Sequence, residues 1–230
     1  MSKKIFVANW KSNKTAKEAS EWAEGFKNNW NRKNDVIVCP TFPILDSLQK
    51  ILANTGVSLG GQNVSPFPSG AYTGEVSAEI LKDFVTHCIV GHSERKKYFN
   101  EAEHQIVEKV GNLLEVAITP ILCVADLEQL DHYATEDLIK DGAEKIIFVY
   151  EPPGAISGGG DYHPEEAESI KTTIASFHKK MGQKVTTLYG GSVNPDVISD
   201  YLRVENLDGF LVGKASLSPE SFVSLVNLTP

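Results

Sequence analysis

A carboxylate stands at the end of a run that contains nothing charged: Ile146, Ile147, Phe148, Val149 and Tyr150 lead directly into Glu151. Five apolar or aromatic residues without alternation read as a strand buried on both faces. Pro152-Pro153 ends its ladder pairing, and Gly154-Ala155-Ile156-Ser157-Gly158-Gly159-Gly160 follows. A carboxylate at the mouth of a buried strand, under a glycine-rich segment, is the layout of a general base beneath a lid. Taken alone, the segment fits a solvated Glu before a surface turn equally well. Four other apolar runs also end on polar groups: Asn9-Trp10-Lys11, Gly91-His92-Ser93-Glu94-Arg95, Gly190-Gly191-Ser192 and Gly213-Lys214-Ala215-Ser216.

The elements that position these groups alternate along the chain. Strands are expected at Ile5–Ala8, Val36–Cys39, Val57–Gly60, His87–Val90, Ala117–Val124, Ile146–Tyr150, Val185–Tyr189 and Gly209–Val212. Helical spacing fills the gaps, as in Thr15–Trp30 with Ala19, Trp22, Ala23 and Phe26 on one face. Asn100 with Glu103 forms a capping-box pattern, with Gly111 near that helix's end. Pro164 and Gly182 bracket another helix, and Asn194-Pro195 and Ser218-Pro219 each read as a cap followed by a first-turn proline. Eight such units in 230 residues, roughly 29 each, favour a closed barrel of eight parallel strands over an open doubly wound sheet. No linker or charge block divides the chain, so one domain is expected over 1–230. In a parallel barrel the loops after the strands gather on one face. His92 and Glu151 lie 59 positions apart and Lys11 precedes His92 by 81, roughly two and three units, so all three come to one ring.

Composition narrows the functional classes. A net charge of −8 argues against a nucleic-acid or anionic-membrane partner. No stretch approaches the roughly 20 apolar residues of a membrane helix. Met1-Ser2-Lys3-Lys4 leads into only four apolar residues, too short for a secretory core, so a cytoplasmic location is expected. Cys39, Cys88 and Cys123 each lie in an apolar run and read as buried free thiols. Gly209 to Lys214 imitates a nucleotide phosphate loop, but its glycines are one residue too close and Ala215 replaces the magnesium-binding hydroxyl. Asp126, Asp161, His132, His163 and His178 are read as solvated surface residues.

Asn9-Trp10-Lys11, Gly91-His92-Ser93-Glu94-Arg95, Tyr150-Glu151-Pro152, Tyr189-Gly190-Gly191-Ser192 and Asp208-Gly209-Phe210-Leu211-Val212-Gly213 together resemble the triosephosphate isomerases, in that family's order and across nearly the whole chain. The resemblance implies a (β/α)8 barrel that interconverts dihydroxyacetone phosphate and D-glyceraldehyde 3-phosphate through an enediolate, in glycolysis and gluconeogenesis. It implies Glu151 as base, His92 as a neutral electrophile, and Lys11 and Asn9 as electrostatic and hydrogen-bonding support. Glu94 would hold Lys11, the backbone around Gly191, Ser192 and Gly213 would cradle the phosphate, and Ser157 would close over it. No metal or redox cofactor is implied. Gly70-Ala71-Tyr72-Thr73-Gly74-Glu75-Val76-Ser77 resembles the family's dimer loop, so the segment Gln62–Ser77 is expected to dock into a second copy, with Thr73 supporting that copy's Asn9 and His92.

Departures from the family pattern are concentrated after Glu151. Pro152-Pro153-Gly154-Ala155 lacks the family's tryptophan, and Ile156-Ser157-Gly158-Gly159 differs at the second hinge, so altered closing kinetics are expected. Lys214 replaces a usual glycine and either adds a cation for the phosphate or points to solvent, the latter being expected because the Gly213 amide needs no help. Ala125-Asp126 replaces Gly-Glu, and a shortened fifth helix is expected near Thr135–Lys140. Two other readings compete: an epimerase-type phosphate-binding barrel, which would want metal ligands or paired acids, and a catalytically silent barrel that only binds phosphorylated metabolites.

Overall fold

Alternation along each strand divides the apolar side chains between two cores. In β1 (Ile5–Asn9) Val7 points inward, while Phe6 and Ala8 face the surrounding helices. Ile37, Ile89, Ile121, Val149, Leu188 and Leu211 repeat the inward position around the ring. The computed structural model describes residues 3–152, 165–195 and 197–228. Its remaining strands are β2 Asp35–Cys39, β3 Val57–Gly61, β4 His87–Val90, β5 Thr119–Val124, β6 Ile147–Tyr150, β7 Thr186–Tyr189 and β8 Gly209–Val212. All pair in parallel and in chain order, and β8 closes on β1. The expected (β/α)8 barrel is therefore the observed fold. Its seam requires a glycine, because a Cβ at Gly209 would lie 1.9 Å from the Ile5 carbonyl oxygen.

Helices surround the barrel: α1 Ala16–Lys27, α2 Leu45–Ile51, α3 Ala78–Leu81, α4 Ser93–Phe99, α5 Glu103–Glu115, α6 Leu127–Thr135, α7 Asp137–Asp141, α8 Ala167–Met181, α9 Ile198–Tyr201 and α10 Pro219–Val226. Thr15 and Glu18 cap α1 reciprocally, Ser218 caps α10, and Gly182 ends α8 in the left-handed region at φ 69°. Trp22 and Phe26 of α1 pack on Phe222 of α10, sealing the barrel where its first and last strands meet.

Six local expectations need correcting. Asn100 starts nothing; it ends α4 in the left-handed region at φ 52°, and α5 is capped instead by Gln105 reaching back to the Ala102 amide at 3.0 Å. Gly111 lies inside α5, not near its end. Ala117, at φ 60°, cannot belong to β5, which starts at Thr119. The fifth helical segment is longer than expected, because Asp126 accepts the Gln129 amide at 2.8 Å and starts α6 well before Thr135. Asp126 is thus a helix cap and not a merely solvated residue. His178, read as exposed, is half-buried on α8, and burial lowers its pKa from the ordinary imidazole value. Pro164, Asp161 and His163 lie outside the described residues.

Candidate active site

Lys11 reaches the C-terminal mouth of the barrel on a left-handed backbone, φ 52°, which a non-glycine residue holds only where its surroundings fix it. Asn9 Oδ1 accepts the Lys11 amide at 3.1 Å. Gln62 Nε2 donates to the carbonyls of Lys11 and Cys39 at 2.9 and 2.8 Å, tying the ends of β1 and β2 together. So held, the amine meets Glu94 Oε1 at 2.6 Å.

His92 stands at the start of α4, where its Nδ1 accepts the Glu94 amide at 3.2 Å. A ring nitrogen that accepts carries no proton, so the ring proton sits on Nε2. Nε2 lies 3.1 Å from Glu151 Oε1. Only 2% of Glu151 is exposed, and its Oε2 accepts the Ser93 amide at 3.3 Å. Burial by itself pushes this carboxyl up. The electrostatic attraction of His92, then its hydrogen bond, the Ser93 amide and the Cys123 thiol together outweigh burial and hold it below the ordinary carboxylate range.

Gly190 makes room for that carboxylate. A Cβ here would fall 2.7 Å from Val149 Cγ1 and 2.8 Å from Glu151 Cγ. Neither atom can retreat without moving β6 or the carboxylate it carries. Gly190→Ala is therefore expected to fold with a loss of about 1–3 kcal/mol and to lower kcat about tenfold to a hundredfold, because the Glu151 carboxylate is displaced. Thermal unfolding and steady-state kinetics on the same preparation check both; full activity would show that Glu151 is not held by this contact.

Asn9, Lys11, His92 and Glu151 line a cavity of about 590 Å³, together with Gly191, Ser192, Gly213 and Lys214. Its β8 end is fixed from below. The Ser216 hydroxyl donates to the Gly213 carbonyl at 2.7 Å, and the Trp22 indole donates to the Ser216 carbonyl at 3.0 Å. Lys214 is exposed and lines the cavity. Thr73 does not line it; it is exposed at the tip of the segment after β3. Ser157 and the other residues of the glycine-rich segment lie outside the described residues. Among the described residues no group of three or more His, Cys, Asp and Glu side chains could hold a metal ion.

Sequence reasoning missed Gln62 as the clamp on Lys11 and Cys123 as a donor to Glu151. Gln62 left no signal, since it bridges two strand ends distant in sequence. Cys123 could have been found from register, because β5 and β6 pair Cys123 with Val149, two residues before Glu151.

A family model described as triosephosphate isomerase matches residues 4–229. The chain is 39% identical over 249 residues to a triosephosphate isomerase of Thermus thermophilus, covering 99% of both chains. It is 39% identical over 241 residues to that of Trichodesmium erythraeum, again covering 99% of each. Identity to that of Dictyoglomus turgidum is 36% over 247 residues, covering 98% of this chain and 99% of the other.

Proposed function

The chain belongs to the triosephosphate isomerase family, and from that premise we propose that Glu151, His92, Lys11 and Asn9 carry its chemistry. The reaction interconverts dihydroxyacetone phosphate and D-glyceraldehyde 3-phosphate, a step of glycolysis and gluconeogenesis. The observation that supports the residue assignment best is the 3.1 Å contact between Glu151 and the proton-bearing nitrogen of His92. These are a base and a donor on adjacent sides of one buried point, with a cation across the cavity.

Isomerisation removes a proton from C1 of the ketose and returns one to C2. Glu151 takes the C1 proton while the electron pair moves through C1–C2 and leaves the C2 oxygen negative. His92 Nε2–H meets that oxygen and, with Lys11, stabilises the enediolate. His92 gives its Nε2 proton to the C2 oxygen and takes the C1 hydroxyl proton in return, while the carboxylic acid delivers its own proton to C2 and the aldehyde forms. C1 is oxidised as C2 is reduced, so the electrons balance within the substrate. As His92 turns to the substrate oxygen, Glu151 loses a donor, burial is less opposed, and the base strengthens at the step that needs it. Gly191, Ser192 and Gly213 supply amides for the phosphate, with Ser157 as a further donor. A coupled assay on D-glyceraldehyde 3-phosphate, followed in deuterated water for exchange at the transferred position, tests this. A rate no greater than that of buffer would refute it.

We assign the active form as a homodimer. The segment Gln62–Ser77 is built to project: Ser65 N–H donates to the Val76 carbonyl at 2.9 Å across its base, and Phe67 and Tyr72 stack at 4.5 Å while about 40% exposed. Ile80, Tyr98 and Phe99 are more than half exposed. Large apolar side chains left in water this way mark an interaction surface. Thr73 would then support the partner subunit's Asn9 and His92. Sedimentation at micromolar concentration is expected to give twice the chain mass; an active monomer alone would remove the assignment. The cytoplasm is the location we propose, on the acidic net charge and three buried free thiols.

A further inference from the structure

Lys214 follows Gly213 at the rim of the cavity and begins the single turn Lys214–Ser216. Three other formal charges stand at the site. Lys11 and Glu94 are in contact at 2.6 Å and nearly cancel, and Glu151 leaves one negative charge over. The chain around it carries a net −8. Without Lys214, a phosphate dianion would meet a field in which Glu94 largely offsets the other cation, Lys11, and Glu151 adds a negative charge. The neighbouring cation Lys14 is turned aside, donating to the Leu217 carbonyl at 2.7 Å over the Trp10 ring. Among the described residues Lys214 makes no ion pair. Lys11 Cε passes 3.8 Å from where a Cβ at Gly213 would stand, so Lys11 and Lys214 flank the same peptide unit.

We propose that the Lys214 side chain is a further substrate-binding group, pairing its ammonium with the phosphate dianion and drawing it into the cavity. This deepens the isomerase reading above and rests on it. An exposed ammonium on a flexible stem is a hydrated point charge, not a fixed clamp. The phosphate bears the same charge in the ground state and the transition state, so Lys214 acts on KM and on the association rate and leaves kcat nearly unchanged.

Lys214→Met, Lys214→Arg and the distant surface control Lys50→Met are compared by steady-state kinetics at several salt concentrations. Binding of glycerol 3-phosphate, an unreactive phosphate monoester, is followed by calorimetry. Lys214→Met is expected to raise both KM and the glycerol 3-phosphate Kd about threefold to tenfold, to lower kcat by no more than about twofold, and to flatten the salt dependence of kcat/KM. Lys214→Arg keeps most of the affinity, and Lys50→Met leaves KM and Kd unchanged. Equal KM and Kd in Lys214→Met and Lys50→Met would overturn the proposal. Binding needs no turnover, so an inactive unmodified chain would refute the isomerase reading while the affinity difference still reports on Lys214. Absence of glycerol 3-phosphate binding in every chain overturns both.

Discussion

Glu151→Gln lowers kcat about a thousandfold, within the range a positioned base supplies, and moves KM less than tenfold. The amide is nearly the size of the carboxylate, so it fits beside Gly190, but it cannot take a proton from carbon. It also puts an NH2 where two donors already converge, His92 Nε2–H at 3.1 Å and the Ser93 amide at 3.3 Å. One acceptor is lost inside a buried site, so a drop in melting temperature accompanies the kinetic loss. The unmodified chain carries a matching signature in pH. Glu151 must be ionised to act, and its pKa is lowered from the ordinary 4.5. The acid limb of kcat/KM, which reports the free enzyme, therefore falls below pH 4.5, with activity present above that pH and lost as the pH drops through the lowered value. A variant with unchanged kcat, or an acid limb above pH 6 in the unmodified chain, would show that another group is the base.

Lys11→Met lowers kcat/KM about a hundredfold to a thousandfold, more than loss of one cation alone would give. Glu94 remains, its carboxylate one-third exposed and now without the amine 2.6 Å away. The site then turns an anion toward the phosphate and the enediolate. Adding Glu94→Gln to Lys11→Met removes that anion, and the double variant recovers roughly tenfold over the single one. If both changes simply add, Lys11 and Glu94 are not coupled at the site. Lys11→Arg keeps the charge but not the compact ammonium, and recovers activity only partly. Kinetics of the four chains at one salt concentration decide the matter.

The fold was legible because buried parallel strands have so little freedom. Apolar runs of four to eight residues gave β4 and β8 to the residue, and the others within two. Lys11, His92 and Glu151 were legible because a repeating unit forces strand ends onto one rim. Features set by the local backbone were harder to read. Nothing in Asn100 announces that it ends a helix, since asparagine serves equally as a cap and as a left-handed terminator. Ala117 takes a left-handed turn that its side chain does not favour, and only the packing of Ile118 behind it explains where β5 must begin. The sign of the Glu151 shift was not legible either. It depends on whether donors or burial prevail, and the donors come from the start of α4 and from β5, far apart in sequence.

The closure of β8 onto β1 also orders events in time. Asn9 and Lys11 lie near one end of the chain, Gly213 near the other, and they are neighbours only because Ile5 to Ala8 pair with Gly209 to Val212. In folding, the phosphate end of the cavity is assembled only when β8 is sealed against β1, because nothing else brings Gly213 beside Lys11 and Asn9.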